Sequence, residues 1–299
     1  MPALDGPFIP AELLPPYVVS APVAPVAPFV LCSPHSGRTY PESFVELSRL
    51  SPLSLRKSED CFVDDLFAPV AAIGVPLIAA RFPRAFLDVN REPYELDPEL
   101  FQEPLPDFAN TQSVRVAGGL GTIARIVADG EEIYRGKLPL AAGLARVQHL
   151  YVPFHAALRD LIEMTRRRFG YAILIDCHSM PSASMAPSGG PRPDIVLGDR
   201  FGASADSRIT RYLKDALSAL DYEVHMNRPY AGGYITEHYG RPARDVHAVQ
   251  IELNRGLYLD EVALRPTAGF AELQRDLVGL AAPLFNDLPA LLEHRAAAE

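Results

Sequence analysis

Seven short apolar runs punctuate the chain: residues 29–32 (FVLC), 75–80 (VPLIAA), 85–89 (AFLDV), 171–177 (YAILIDC), 194–198 (DIVLG), 222–227 (YEVHMN) and 247–253 (HAVQIEL). Several are apolar almost throughout rather than alternating, which is the pattern of strands covered on both faces. The stretches between them carry the helical period. Residues 58–74 place apolar side chains at 62, 63, 66, 67 and 70 and stop at Gly74. Residues 140–170 end in a basic segment and stop at Gly170, as a helix C-terminus does. Residues 204–220 open with the capping types Ser and Asp, and a last helix is expected over about 268–295. Strands alternating with helices predict an α/β domain, with helices on both sides of a mostly parallel sheet. In such folds sites collect just past the strand ends.

The first 28 residues hold eight prolines. They lack a basic segment followed by a smooth apolar stretch, so neither a signal peptide nor a helix is expected. An extended arm lying over the domain, or a loose tail, fits better. No repeat or second linker-like segment follows, so residues 29–299 are expected to form a single domain.

Composition narrows the partners. A formal net charge of −9 argues against nucleic acid and anionic membrane, though not against an anionic substrate held in a local basic pocket. No run of about 18 apolar residues exists, so no membrane span is expected. Cys32, Cys61 and Cys177 are too few and too scattered for a disulfide framework, which points to a reducing cytoplasm. The oligomeric state is not legible.

The residues that follow the runs carry the chemistry. His35 follows the first run, Asn90-Arg91 the third, and His178 the fourth; Glu252 lies inside the last. Two imidazoles and a carboxylate leave a coordination position open, the catalytic form of a zinc site. The alternative is that both histidines cap loop backbones. Neither HExxH nor CxxC appears, and position 38 is arginine, so a third ligand must come from elsewhere. The segment SEDCFVDD supplies Glu59, Asp60, Asp64 and Asp65, any of which could simply complement a helix dipole. His149, His155, His238 and His294 fall in helical or polar surface patterns and are not expected as ligands. His247 opens a strand and could support a site from behind. Asp176 is expected to point away from His178 and tie down a loop. Cys177 is expected in the core, and Gly232-Gly233 in a tight turn close to the substrate or in a plain turn.

Taken in order, His35-Ser-Gly-Arg-Thr-Tyr-Pro41, Asp60, Arg84-Ala-Phe-Leu-Asp88-Val-Asn90-Arg91, Asp176-Cys-His178-Ser179, Gly232-Gly233-Tyr-Ile-Thr236 and Gln250-Ile-Glu252 resemble the N-formylglutamate amidohydrolase family. The resemblance spans about residues 28–265. It implies a distant kinship with zinc carboxypeptidases and aspartoacylases, and with it an α/β/α sandwich around a mixed sheet. It implies Zn²⁺ held by His35, Asp60 and His178, with Asp60 replacing the glutamate that carboxypeptidases carry three residues after their first histidine. It makes Glu252 the general base and gives Asn90 and Arg91 the grip on a substrate carboxylate. Residues 97–112 match nothing expected of the family and are candidates to line the substrate pocket.

The chemistry is consistent with this inventory. Zinc can bring the pKa of water from 15.7 to about 7 and polarise an amide carbonyl. A carboxylate such as Glu252 can take the proton and pass it to the leaving amine, unless it serves only as an ion-pair partner of Arg255. Arg84 could meet the oxyanion. Arg91 can bind a carboxylate through two parallel N–H bonds, or be absorbed by Asp88 or Glu92. The expected activity is zinc-dependent hydrolysis of an N-acyl amino acid, N-formyl-L-glutamate first. The alternatives are an aspartoacylase-like or carboxypeptidase-like hydrolase, or a relative that binds metal or ligand without turnover.

Overall fold

A computed structural model describes residues 9–127, 130–184 and 191–293. His294 and the first eight residues of the proline-rich arm lie outside these described residues. Seven strands form one mixed sheet: β1 Tyr17–Ser20, β2 Phe29–Ser33, β3 Leu77–Ala80, β4 Ala172–Met180, β5 Ile195–Gly198, β6 Val224–Met226 and β7 Val246–Asn254. Their order is β1-β3-β2-β4-β7-β5-β6. β2, β4 and β7 run parallel, as do β5 and β6, while β5 meets β7 antiparallel. The sheet is mostly parallel, as the apolar runs predict, and mixed, as the family resemblance implies.

The chain divides into two compact units. One comprises residues 1–18, 34–59 and 79–157, the other residues 19–33, 60–78 and 158–299. The sheet belongs to the second, and the division falls inside β1 and β3. Every residue of β2, β4 and β5 is buried, which explains their long apolar stretches and sets Asp176, His178 and Ser179 apart as buried polar residues. Strand alternation assigns the two faces. Ile173, Ile175 and Cys177 of β4 share one core with Leu66 and Phe67 of helix Val63–Ala72, Leu213 of helix Ser207–Ser218, and Leu277 and Phe285 of helix Gly269–Glu293. Each such side chain contributes about 1.5–3 kcal/mol by leaving water. Asp176 and His178 occupy the other face, where Thr236 Oγ1 of the short helix Tyr234–Tyr239 donates to Asp176 Oδ2 at 3.2 Å.

The strand order contains a reversal. From β2 the chain passes to β3 on one side and returns later as β4 on the other. Such a switch point opens a crevice at the carboxyl ends of the two flanking strands.

The first unit has short helices such as Glu42–Leu47 and Val114–Ala117, isolated bridges Ser48↔Tyr134 and Phe101↔Leu138, and the start of the long helix expected over 140–170, which runs Leu140–Arg146, through one wider turn at Val147–Tyr151, into Val152–Phe169. Phe44, Phe86 and Tyr134 pack together, and the buried Arg146 guanidinium stacks 3.8 Å from the centre of the Phe86 ring. Arg146 Nη1 donates to both Phe86 O and Tyr134 Oη, while its Nε is buried without a hydrogen-bond partner, so ring stacking and one nitrogen carry this cation. Residues 97–112 are anchored in this unit, with Gln102 N bonded to Leu138 O, Asn110 N to Tyr94 O, and Phe108 packed on Tyr94.

Two expectations are corrected, and one element is added. Residues 85–89 form turns rather than a strand: Phe86 N and Leu87 N both bond Pro83 O, and Asp88 Oδ1 accepts from Asn90 N. A five-residue apolar run reads the same whether its burial is in a sheet or under a loop. β4 extends to Met180, so His178 lies within the strand and not after it. The N-terminal arm contributes β1, an unforeseen edge strand in keeping with its extended character. Among the described residues, no helix is long and apolar enough to cross a membrane.

Candidate active site

In the second unit the site grows from three neighbouring positions. Asp60 stands just before helix Val63–Ala72, and Tyr258 Oη donates to the adjacent Cys61 carbonyl. Asp60 Oδ2 lies 2.8 Å from His178 Nδ1, and Asp60 Oδ1 accepts from Arg255 Nη2 at 3.1 Å. Arg255 Nε also donates to Ser179 Oγ at 3.1 Å. Asp176 Oδ1 lies 3.0 Å from His178 Nε2. Asp176 therefore does not point away from His178. Two residues apart on one strand, the two side chains share a face.

Burial alone would push the His178 imidazole down, but Asp176 and then Asp60 hold it well above its usual range. A buried ring with a carboxylate at each nitrogen demands positive charge. That charge can be a proton, or a cation on the Nδ1 side shared with Asp60. A carboxylate on Nε2 is also what fixes and strengthens an imidazole ligand.

β7 adds the next row. Parallel register sets Asp176 level with Gln250 and His178 level with Glu252, so all four side chains belong to one sheet face. Gln250 Nε2 donates to Glu252 Oε1 at 2.8 Å, and Gly233 N donates to Gln250 Oε1 at 2.8 Å. Gly232 adopts φ +115°, and a Cβ there would meet Thr236 Cγ2 at 2.9 Å. The Gly-Gly turn is thus required to seat helix Tyr234–Tyr239 against the sheet. His247 lies toward the opposite end of β7, where its Nδ1 accepts from Asp206 N, so it supports a helix start and not this site.

In the first unit the centre is Asp88, considered from sequence only as a possible partner of Arg91. His35 Nε2 lies 2.7 Å from Asp88 Oδ1, Arg84 Nε donates to Oδ2 at 3.0 Å, and Arg91 Nη2 is 3.6 Å from Oδ2. Burial would raise this carboxyl, but Arg91, His35 and Arg84 hold it well below the usual carboxylate range. A carboxylate facing Nε2 is the arrangement that orients an imidazole ring. His35 lies two residues past the end of β2. Gly37 follows, and a Cβ there would collide with Phe82 O at 2.0 Å, so the His-Ser-Gly turn tolerates no side chain at that point. Arg91 Nε donates to Leu120 O and Nη1 to Asn90 O, while Tyr151 Oη donates to Arg91 O. His155 is buried, against expectation, with Nε2 2.8 Å from Val89 O beneath this loop.

Asp60 and His178 of the second unit, and His35 of the first, are buried donors of the types that hold a metal ion. Two imidazoles whose Nε2 atoms face carboxylates, plus one carboxylate, suit zinc by the chemistry of the donors. Asp64 and Asp65 lie in the first turn of their helix, as the dipole reading had it.

The fold is that of an α/β protein in which Asp176, His178, Gln250 and Glu252 lie toward the carboxyl ends of two parallel strands. Residues 27–259 match the family described as N-formylglutamate amidohydrolase, and the chain belongs to that family of hydrolases. An N-formylglutamate deformylase of Pseudomonas putida is 30% identical over 241 residues, covering 78% of this chain and 82% of its own length. A crystal structure of N-formylglutamate amidohydrolase from Ralstonia eutropha JMP134 is 35% identical, covers 89% of this chain and 95% of its own, and superposes with a TM-score of 0.84. A more distant structure, from Agrobacterium tumefaciens, is 19% identical with a TM-score of 0.66 and shares the fold.

Proposed function

We propose that this chain hydrolyses N-formyl-L-glutamate to formate and glutamate, with Zn²⁺ held by His35, Asp60 and His178. The observation that carries the reading is the buried Asp60–His178 pair, backed by Asp176 and level with Glu252 on the adjoining strand. The family and its named relatives supply the substrate. When bound, zinc supplies a Lewis acid for the carbonyl and lowers the pKa of water.

The chain's own residues do the rest. Asp88 and Asp176 orient the two histidines. Glu252 takes a proton from the attacking water and hands it to the departing amine nitrogen as the C–N bond breaks. Arg84 offers a cation to the oxygen that gains negative charge. Asn90 and Arg91 hold the α-carboxylate of the amino-acid half.

The test is metal analysis of the purified chain together with a panel of N-acyl amino acids, reading formate and free amino acid. One zinc per chain and formate release from N-formylglutamate are expected. Glu252→Gln should keep fold and zinc and lose about 10²–10⁴ in turnover. Release of no formate from any N-formyl amino acid by the zinc-loaded chain would remove the substrate assignment. Near-normal turnover by Glu252→Gln would move the base to another group.

A further inference from the structure

Gln250 bonds two different partners through the two ends of one amide, and the partners dictate which end is which. Gly233 N is a backbone donor and can only face an oxygen, so Gln250 Oε1 must point to it, at 2.8 Å. The other end is then the NH₂ group, and it meets Glu252 Oε1 at 2.8 Å. The orientation that amide side chains leave ambiguous is here fixed by the main chain. Gln250 and Glu252 lie two residues apart on one face of β7, and both are buried. Gly233 is held in turn by the turn at Gly232, where φ is +115° and Thr236 fills the space a side chain would need.

We propose that Gln250 is a positioning residue for the general base: the Gly233 amide locks the Gln250 side chain, which anchors Glu252 through Oε1 and so sets the direction of Oε2. This rests on the reading of Glu252 as the base. It also gives the Gly-Gly turn a task behind the base instead of on the substrate, since the Gly233 N–H is directed at Gln250.

The experiment is a double-mutant cycle measuring kcat and KM on N-formylglutamate, with zinc content and melting temperature as controls. Gln250→Met keeps the length and removes both bonds. It should lose about 10²-fold in kcat, the size of effect that a misplacement of about 1 Å produces, with KM and zinc content little changed. In the Glu252→Gln background the same change should alter the residual rate by less than about twofold, because the group it acts through has already been replaced. Gln250→Glu is the second variant, for the case that Gln250→Met does not fold. It keeps the acceptor for Gly233 and replaces the donor facing Glu252, so kcat should again fall. Unchanged kcat in a folded Gln250 variant overturns the proposal. So does an equal loss in both backgrounds, which marks a merely structural role. Failure of the base assignment is seen separately, as near-normal turnover by Glu252→Gln alone.

Discussion

Replacing Asp88 with asparagine keeps the shape of the side chain and removes its charge. Asp88 is buried, faces His35 at 2.7 Å, and lies near two arginines of unequal exposure. Arg84 is 28% exposed, so water can take over its solvation and its share of the loss is small. The Arg91 side chain is only 10% exposed and would be left as a buried charge without its carboxylate. Breaking a buried pair in this way costs about 3–5 kcal/mol. At about 2–4 °C per kcal/mol for a chain of this size, the melting temperature should fall by roughly 6–20 °C. An amide can still accept from the Asn90 N–H, so the turn itself need not be lost. His35 loses the carboxylate that orients its ring, and outer partners of this kind typically contribute about 10–100-fold to metal affinity. Calorimetry with and without a chelator, plus zinc competition, reads both effects. An Asp88→Asn protein that melts within a degree of the parent and binds zinc equally well would refute the reasoning at both steps.

Arg91→Lys should lower kcat/KM on N-formylglutamate by roughly 10²-fold, because lysine cannot hold the Leu120 and Asn90 carbonyls and a substrate carboxylate at once. An N-formyl amino acid amidated at its α-carboxyl should lose as much with the parent enzyme and little more with the variant. Equal turnover of amide and acid would take that carboxylate away from Arg91. Asp206, which caps helix Ser207–Ser218, is held at about 2 by its hydrogen bonds to Arg208. Its folded value is depressed below the ordinary 3.9 or so, so its contribution is present above about pH 4 and is lost as pH falls toward 2. The group is partly exposed, which limits the effect to about 1 kcal/mol or less. Asp206→Asn, which caps equally well, should flatten chemical-denaturation midpoints across that window. An unchanged slope would show that the pair does not contribute.

Strands were legible in the chain wherever both faces are covered, because a short unbroken apolar run marks burial on both sides. Residues 85–89 misled for the same reason: the run is buried, but by loops. The histidines, Asp60, Asn90, Arg91 and Glu252 were legible as residue types in order. The bonds that orient them were not. Asp88 reads as a plausible salt-bridge partner of its neighbours, and nothing local reveals that it faces His35, 53 positions earlier. Asp176 was legible in principle, since a separation of two already places it beside His178. Gln250 and Arg255 depend on register and on a distant carboxylate, which a single sequence does not carry.

The ion pair between Asp60 and Arg255 spans 195 positions. During synthesis Asp60 leaves the ribosome long before its arginine exists. At about 5–20 residues per second the wait is about 10–40 s. His178 arrives first, 118 positions after Asp60, and can meet it while β7 is still unmade. A chain that stops before β7 can therefore bring the aspartate and this histidine together, yet it lacks Glu252 and the cation that balances Asp60. The acidic pocket is then left one positive charge short in an incomplete sheet, so stalled or truncated products should open readily to proteases. The last fifth of the chain thus decides not only whether the enzyme works but whether an unfinished copy survives.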